Sequence, residues 1–161
     1  MEADDVDPAA FLIALHAAPL RWLLIGRQAL IFHGAPVQTQ DYDLWLDPGR
    51  RNLDRFFRLI RSMEFEGPRR SSEVATAPQF SLYGGLLKVD VFKPRKFTNL
   101  DGESLDFASA WSRKVECRAA GDPLKVYIPA LEHLRLLKRM RDDPADRLDV
   151  EYIDELLRRR T

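Results

Sequence analysis

The sequence is short of cysteine, of net charge and of long apolar runs, and each shortage excludes a class of protein. It has one cysteine, Cys117, so no disulfide can form within the chain. Its 25 basic and 25 acidic residues leave no net charge, which argues against a protein that binds nucleic acid through overall charge. The apolar run over 9–24 is broken by His16, Pro19 and Arg21, whereas a membrane span needs about 20 apolar residues.

The first ten residues, MEADDVDPAA, are acidic and lack the positive region that opens a secretory signal peptide. Together with the lone cysteine this favours a reducing compartment, and we expect a cytoplasmic protein without a membrane partner. The length of 161 residues is typical of one domain with a hydrophobic core, and no internal repeat is visible. We therefore predict one domain over 1–161, with a core over about 20–128 and a helical tail over about 129–161.

The strongest pattern lies in the stretch RWLLIGRQALIFHGAPVQTQDYDLWLD. Its first apolar run, 22–25, predicts a strand that ends at Gly26, where the spacing of apolar residues becomes helical. A second strand is predicted over 41–46, which is rich in strand-forming residues. Because side chains alternate along a strand, Asp41 and Asp43 are expected on one face.

The rest of the chain alternates between amphipathic helices and short strands. Helical spacing predicts helices over about 8–18, 52–63 and 104–111, and two more in the tail. Hairpins are predicted over 80–92, with a two-glycine turn at 84–85, and over 115–128, with a turn at 121–123, while 66–78 is expected to be a loop or a weak edge strand. Together these elements predict an α/β (mixed α+β) fold, in which a small mixed sheet is flanked by helices and followed by a C-terminal helical pair.

Gly26, Asp41, Asp43 and Asp90 are the candidates for chemistry. Mg²⁺ prefers carboxylate oxygens, usually from one or two side chains, and completes its shell with phosphate oxygens and water. Two aspartates on one face of a strand and a third on a neighbouring strand can hold one or two such ions. A glycine at a strand-to-helix turn lets a phosphate approach the backbone closely. The alternative is that the paired aspartates are exposed carboxylates beside a turn and that Asp90 pairs with a neighbouring lysine.

The same residues carry a resemblance to a known family. Their order and spacing resemble the nucleotidyltransferase superfamily, and within it the minimal nucleotidyltransferases of bacteria and the AbiEii-like toxin group. The resemblance rests on Ile25-Gly26-Arg27, Phe32-His33-Gly34, Thr39-Gln40-Asp41-Tyr42-Asp43 and the later Asp90. The tail is also similar, since Lys138 in a leucine-rich helix is followed by Asp146 and Asp149.

The resemblance implies transfer of a nucleoside monophosphate from an NTP to an acceptor hydroxyl, with release of pyrophosphate. Asp41 and Asp43 would then bind Mg²⁺ or Mn²⁺ that holds the triphosphate, and Asp90 would bind a second ion or act as the base. The nucleotide would be contacted by Gly26, Arg27, Thr39 and Lys138. The acceptor stays open among a small molecule such as an aminoglycoside-like drug, a tRNA end and a protein hydroxyl.

Arg27 departs from the pattern of the family, which has glycine or serine at this position. A cation at a helix N-terminus opposes the helix dipole and needs an anion nearby. That anion is either a substrate phosphate, bound bidentately, or Asp41 or Asp43, in which case the site is closed to nucleotide.

A closed site would favour a different function, a catalytically silent module that binds a cognate protein in the manner of an antitoxin-type protein. A third hypothesis is a small nucleic-acid-binding domain that uses the arginine-rich helix over 52–63. The lack of net charge argues against it.

Overall fold

A four-stranded mixed sheet lies at the centre of the protein, whose computed structural model describes residues 5–118 and 123–160. Its strands, in the order β1-β2-β4-β3, are β1 (Trp22–Ile25), β2 (Tyr42–Leu46), β3 (Gln79–Gly84) and β4 (Leu87–Phe92). The strand β2 is antiparallel to β1 and parallel to β4, while β3 and β4 form an antiparallel hairpin. This is the small mixed sheet that the sequence predicts.

Six α-helices and two further strand pairs surround this sheet in the described part of the chain. The helices are α1 (Pro8–Ala17), α2 (Gly26–Phe32), α3 (Arg50–Arg61), α4 (Phe107–Ser112), α5 (Leu131–Lys138) and α6 (Pro144–Arg158), and a 3₁₀ helix covers Ser71–Val74. The strand pairs are β5 (Lys96–Thr98) with β6 (Ser104–Asp106), and β7 (Val115–Arg118) with β8 (Lys125–Ile128).

The sheet separates a larger hydrophobic core from a smaller one. The larger core includes the apolar stripe of α3, in which Phe56 and Phe57 are fully buried. Complete burial of one such side chain stabilises the fold by roughly 2–3 kcal/mol. The smaller core lies on the opposite face and consists of Leu23, Ile25, Trp45, Leu105, Phe107 and Ala110. It is the face of this smaller core that carries the candidate site.

The structure differs locally from the predicted elements. The strand β2 begins at Tyr42, so Asp41, predicted within this strand, lies just before it. The segment predicted as a helix over 104–111 begins as β6, and only then does α4 start, with Asp106 as its N-cap accepting a 2.7 Å hydrogen bond from the Ser109 N–H. The first hairpin turns one residue later than expected, since Gly84 still belongs to β3. Within 66–78 the 3₁₀ helix was not predicted, although Glu66 does pair with Tyr83 as an isolated bridge.

The second hairpin has its predicted strands, but residues 121 and 122 of its predicted turn lie outside the described residues. Within the described residues, the helices are all too short or too polar to cross a membrane.

Candidate active site

Strand register brings Asp43 and Asp90 side by side. Asp43 lies in β2 directly opposite Asp90 in the parallel strand β4, and neighbouring strands are about 5 Å apart. Side-chain alternation puts both on the face of the smaller core, since Trp45, two residues after Asp43, belongs to that core. Both carboxylates line a cavity of about 610 Å³, and Asp41 lines it as well.

Gly26 allows the Asp43 carboxylate to pack against the turn between β1 and α2. Its φ of +69° is in the left-handed region that favours glycine. A Cβ at this position would lie 2.5 Å from Oδ2 of Asp43, closer than non-bonded atoms approach. The glycine is therefore required by both the backbone and the carboxylate.

The loop before β2 holds Asp41 at the edge of the cavity. The Thr39 hydroxyl accepts a 3.1 Å hydrogen bond from the Asp41 N–H, and the Thr39 carbonyl accepts one of 3.3 Å from the buried Gln28 side chain. These hydrogen bonds give Thr39 a structural role in the loop. Thr39 is not among the described residues that line the cavity.

Burial and like charges act together on Asp43. Burial, the largest cause, and the neighbouring charges of Asp90 and Asp41 together raise the pKa of Asp43 from its ordinary value of 3.8 to about 6. The charges of Lys138 and Lys88 lower the pKa of Asp43 and offset part of this effect. Because negative charges crowd Asp43, a further positive charge beside its carboxylate would be favourable.

Asp90 is oriented from two sides by its neighbours in the hairpin. The Ser81 hydroxyl, opposite it in β3, donates a 2.5 Å hydrogen bond to Oδ1, and Lys88 Nζ lies 3.7 Å from Oδ2. The lysine pairing follows one of the alternatives that the sequence offered. Ser81 was not predicted, because the expected turn at 84–85 would pair it with Lys88, and only the observed turn one residue later places it opposite Asp90.

Lys138 and Arg27 meet on one buried carboxylate. Lys138 lines the cavity, and its Nζ lies 2.7 Å from Oδ2 of Asp149 in α6 and 3.9 Å from Oδ1 of Asp146. Arg27 Nη2 lies 3.2 Å from Oδ1 of the same Asp149, and its Nη1 donates to the Gln38 carbonyl at 3.4 Å. The anion beside Arg27 is thus Asp149, which the sequence analysis did not consider, and Arg27 is not among the described residues that line the cavity.

The donor set fits a magnesium ion only in part. In residues 5–118 and 123–160, no three histidine, cysteine, aspartate or glutamate side chains are grouped closely enough to hold a metal ion by themselves. The adjacent Asp43 and Asp90 nevertheless supply the one or two carboxylates that Mg²⁺ usually takes from a protein. Phosphate oxygens and water would have to complete the shell.

Apolar side chains form another part of the cavity wall, beside the carboxylates. Trp45 Nε1 donates a 2.8 Å hydrogen bond to the Pro94 carbonyl and so ties β2 to the segment that leads into β5. This apolar wall consists of Phe92, Pro94, Phe97, Leu137 and Met140. Sequence reasoning missed it because its members come from separate elements and carry no common motif.

We expect Gly26→Ala to displace Asp43. Alanine is disfavoured at this positive φ, and its Cβ would clash with the Asp43 carboxylate. The free energy of unfolding should therefore fall by about 2–3 kcal/mol. Gly102→Ala is the matched control, because Gly102 has a φ of +78° and open space around its Cβ position. It should cost only about 1 kcal/mol, from backbone strain alone. Chemical denaturation measures both, and equal losses would contradict the contact.

We expect Asp43→Asn to stabilise the metal-free protein at pH 8 by about 1–2 kcal/mol. The raised pKa means that folded Asp43 keeps its proton up to about pH 6, whereas in the unfolded chain it is lost near 3.8. The folded state of the wild type therefore loses stability as pH rises through this window, and asparagine has no such loss. Denaturation at pH 4 and pH 8 in chelator measures the difference, which should shrink at pH 4.

The control for this measurement is Asp142→Asn, whose side chain is 68% exposed and should give no such pH-dependent gain. A gain for Asp43→Asn that is equal at both pH values would contradict the assignment of the raised pKa.

No family model and no curated protein matches this sequence. Two solved structures are similar over nearly the whole chain. One is a presumed nucleotidyltransferase from Thermotoga maritima, with 16% identity, a TM-score of 0.59 and coverage of 94% of this chain and 87% of that chain.

The other is the lincosamide antibiotic adenylyltransferase LnuA, solved with lincomycin bound. It has 12% identity and a TM-score of 0.61, and the match covers 95% of this chain and 99% of that chain. Identities this low show the fold alone, and they do not distinguish the AbiEii-like group, which stays a prediction. The chain therefore has the nucleotidyltransferase fold that its motif residues predict.

Proposed function

We propose that the protein is a metal-dependent nucleotidyltransferase that transfers a nucleoside monophosphate from an NTP to an acceptor hydroxyl. The observation that carries this proposal is the register pairing of Asp43 with Asp90 at a cavity, in a chain with this fold. The cavity of about 610 Å³ is within the range of small-molecule sites, roughly 300–1,000 Å³. It can therefore take a nucleotide.

Asp43 and Asp90, with Asp41 beside them, would hold Mg²⁺ or Mn²⁺. When bound, such an ion neutralises phosphate charge and stabilises the attacking and leaving oxygens of an in-line displacement. The raised pKa of Asp43 supports this role, because a cation would relieve the repulsion from Asp90 and Asp41 that helps to raise it.

The protein's own residues would position the reactants. Ser81 and Lys88 hold the Asp90 carboxylate in one orientation, so that it can bind an ion or accept the proton of the acceptor hydroxyl. Lys138 supplies a positive charge on the cavity wall, where it would contact phosphate oxygens. Gly26 keeps the Asp43 carboxylate close to the strand-to-helix turn, and Thr39 holds the loop that carries Asp41.

The catalytically silent module loses the feature that favoured it. That hypothesis required Arg27 to pair with Asp41 or Asp43 and so close the site. Arg27 instead pairs with Asp149 on α6, which leaves the two carboxylates facing the cavity. We therefore propose an active enzyme ahead of a silent module that binds a cognate protein.

For the acceptor we propose the hydroxyl of a small molecule, ahead of a tRNA end or a protein. The apolar wall, which includes Phe92 and Phe97, lines the same cavity as the carboxylates and suits a compact acceptor with an apolar surface. The similar structure of LnuA was solved with an antibiotic bound, which supports a compact acceptor in this fold. Small hydroxyl compounds are therefore the first to screen for release of pyrophosphate.

Calorimetric titration of each NTP, with and without Mg²⁺, tests the proposal. We expect saturable binding of at least one NTP that requires Mg²⁺. Asp43→Asn should weaken it at least about 100-fold, since one of two adjacent metal-binding carboxylates is lost. The same titration with Asp90→Asn should show a comparable loss.

The matched control is Asp54→Asn, because Asp54 lies on α3 away from the cavity and is 48% exposed. It should bind nucleotide as the wild type does. Wild-type protein that binds no NTP at millimolar concentration would contradict the proposed function.

A further inference from the structure

Asp149 is a buried carboxylate shared between two cations from different helices. Its side chain is 1% exposed, and Lys138 of α5 contacts its Oδ2 at 2.7 Å. Arg27 of α2 approaches the same group, with Nη2 at 3.2 Å from Oδ1 and Nε at 3.4 Å from Oδ2. One buried negative charge therefore has two counter-ions.

The two cations do not bind Asp149 equally well. The Lys138 contact has the length of a strong charge-assisted hydrogen bond, whereas both Arg27 contacts are longer. Oδ1 of Asp149 lies within ion-pair distance of Arg27 but accepts no hydrogen bond from any described residue. Lys138 is thus the main partner, and Arg27 has unused capacity for a bidentate pair.

Lys138 also faces the nucleotide cavity of the proposed function. It lines this cavity together with Asp43 and Asp90, so phosphate oxygens bound there would compete with Asp149 for its ammonium group. Moving Lys138 away from a carboxylate that is 1% exposed would be strongly unfavourable if no other cation remained. Asp149 does keep one, because Arg27 is already beside it. Asp146, the weaker partner of Lys138, likewise keeps Arg141 at 3.2 Å.

We propose that Arg27 is the reserve counter-ion of Asp149, which lets Lys138 leave Asp149 and bind the phosphates of the nucleotide. Arg27 is on this view a positioning residue that acts through Asp149 and does not touch the substrate. The proposal rests on the proposed function, and it gives a reason for arginine at a position where the resembled family has glycine or serine.

The test is a double-mutant cycle on binding of NTP with Mg²⁺. Arg27→Gln removes the reserve cation, so Lys138 stays on Asp149 and affinity should fall about tenfold or more. Adding Asp149→Asn removes the buried charge that needed a counter-ion. The double variant Arg27→Gln/Asp149→Asn should therefore return to within about threefold of wild-type affinity.

This recovery separates the proposal from the two simpler roles of Arg27. Arginine in direct contact with the nucleotide predicts that the double variant binds as weakly as Arg27→Gln. A purely structural arginine predicts a lower melting temperature with unchanged affinity. Either result overturns the proposal. Arg147→Gln is the control for loss of an arginine, because Arg147 lies on α6 and its side chain is 58% exposed. This variant should bind NTP as the wild type does.

Three further outcomes keep the test decisive. If Arg27→Gln does not fold, Asp149→Asn alone replaces it: affinity equal to or tighter than wild type supports the proposal, and weaker affinity overturns it. Wild type that binds no NTP overturns both the proposed function and this inference. Wild type that binds NTP, with an Arg27→Gln variant of equal affinity, overturns this inference alone.

Discussion

A pair of carboxylates placed side by side in the sheet is an electrostatic cost that neighbouring positive charges partly offset. Asp43 and Asp90 face each other across β2 and β4, and Asp43 is half-buried. Like charges and burial both oppose ionisation, as the raised pKa of Asp43 shows. Such a pair is unfavourable for folding by itself, and groups of this kind concentrate where a protein binds or reacts with a ligand. Neighbouring positive charges, Lys138 and Lys88, compensate part of this cost.

The C-terminal helices supply one of these compensations and belong to the core of the fold. Leu134 of α5 and Ile153 of α6 are fully buried in the larger core, which fixes both helices there. The helix α5 then carries Lys138 to the cavity wall, and α6 provides Asp149, which holds that lysine. Because the same helices pack in the core and carry these charges, their packing contributes to the electrostatic potential at Asp43 through Lys138.

Local patterns in the sequence were sufficient for the central motif and insufficient for contacts across the chain. The strand-helix-strand unit from Trp22 to Leu46 follows from periodicity and from the position of Gly26. The pairing of β5 with β6 could not be predicted in this way, since three-residue strands carry almost no periodic signal. The partner of Arg27 was missed for a related reason. Asp149 lies 122 residues further along the chain, and only packing of α6 brings the two together.

The protein has no net charge, but its charged side chains are unevenly distributed around the cavity. This distribution affects how a nucleotide could enter the cavity. The charged side chains that line it are four carboxylates, Asp41, Asp43, Asp90 and Asp146, and two cations, Lys138 and Arg141. At neutral pH the Asp43 carboxyl, with a pKa of about 6, is largely ionised. The lining then repels a triphosphate, and Lys138 and Arg141 are each already engaged by an aspartate. In the proposed function, divalent cations would reverse this balance at the carboxylates. Nucleotide and metal would then bind together, and Lys138 would contact phosphate only after leaving Asp149.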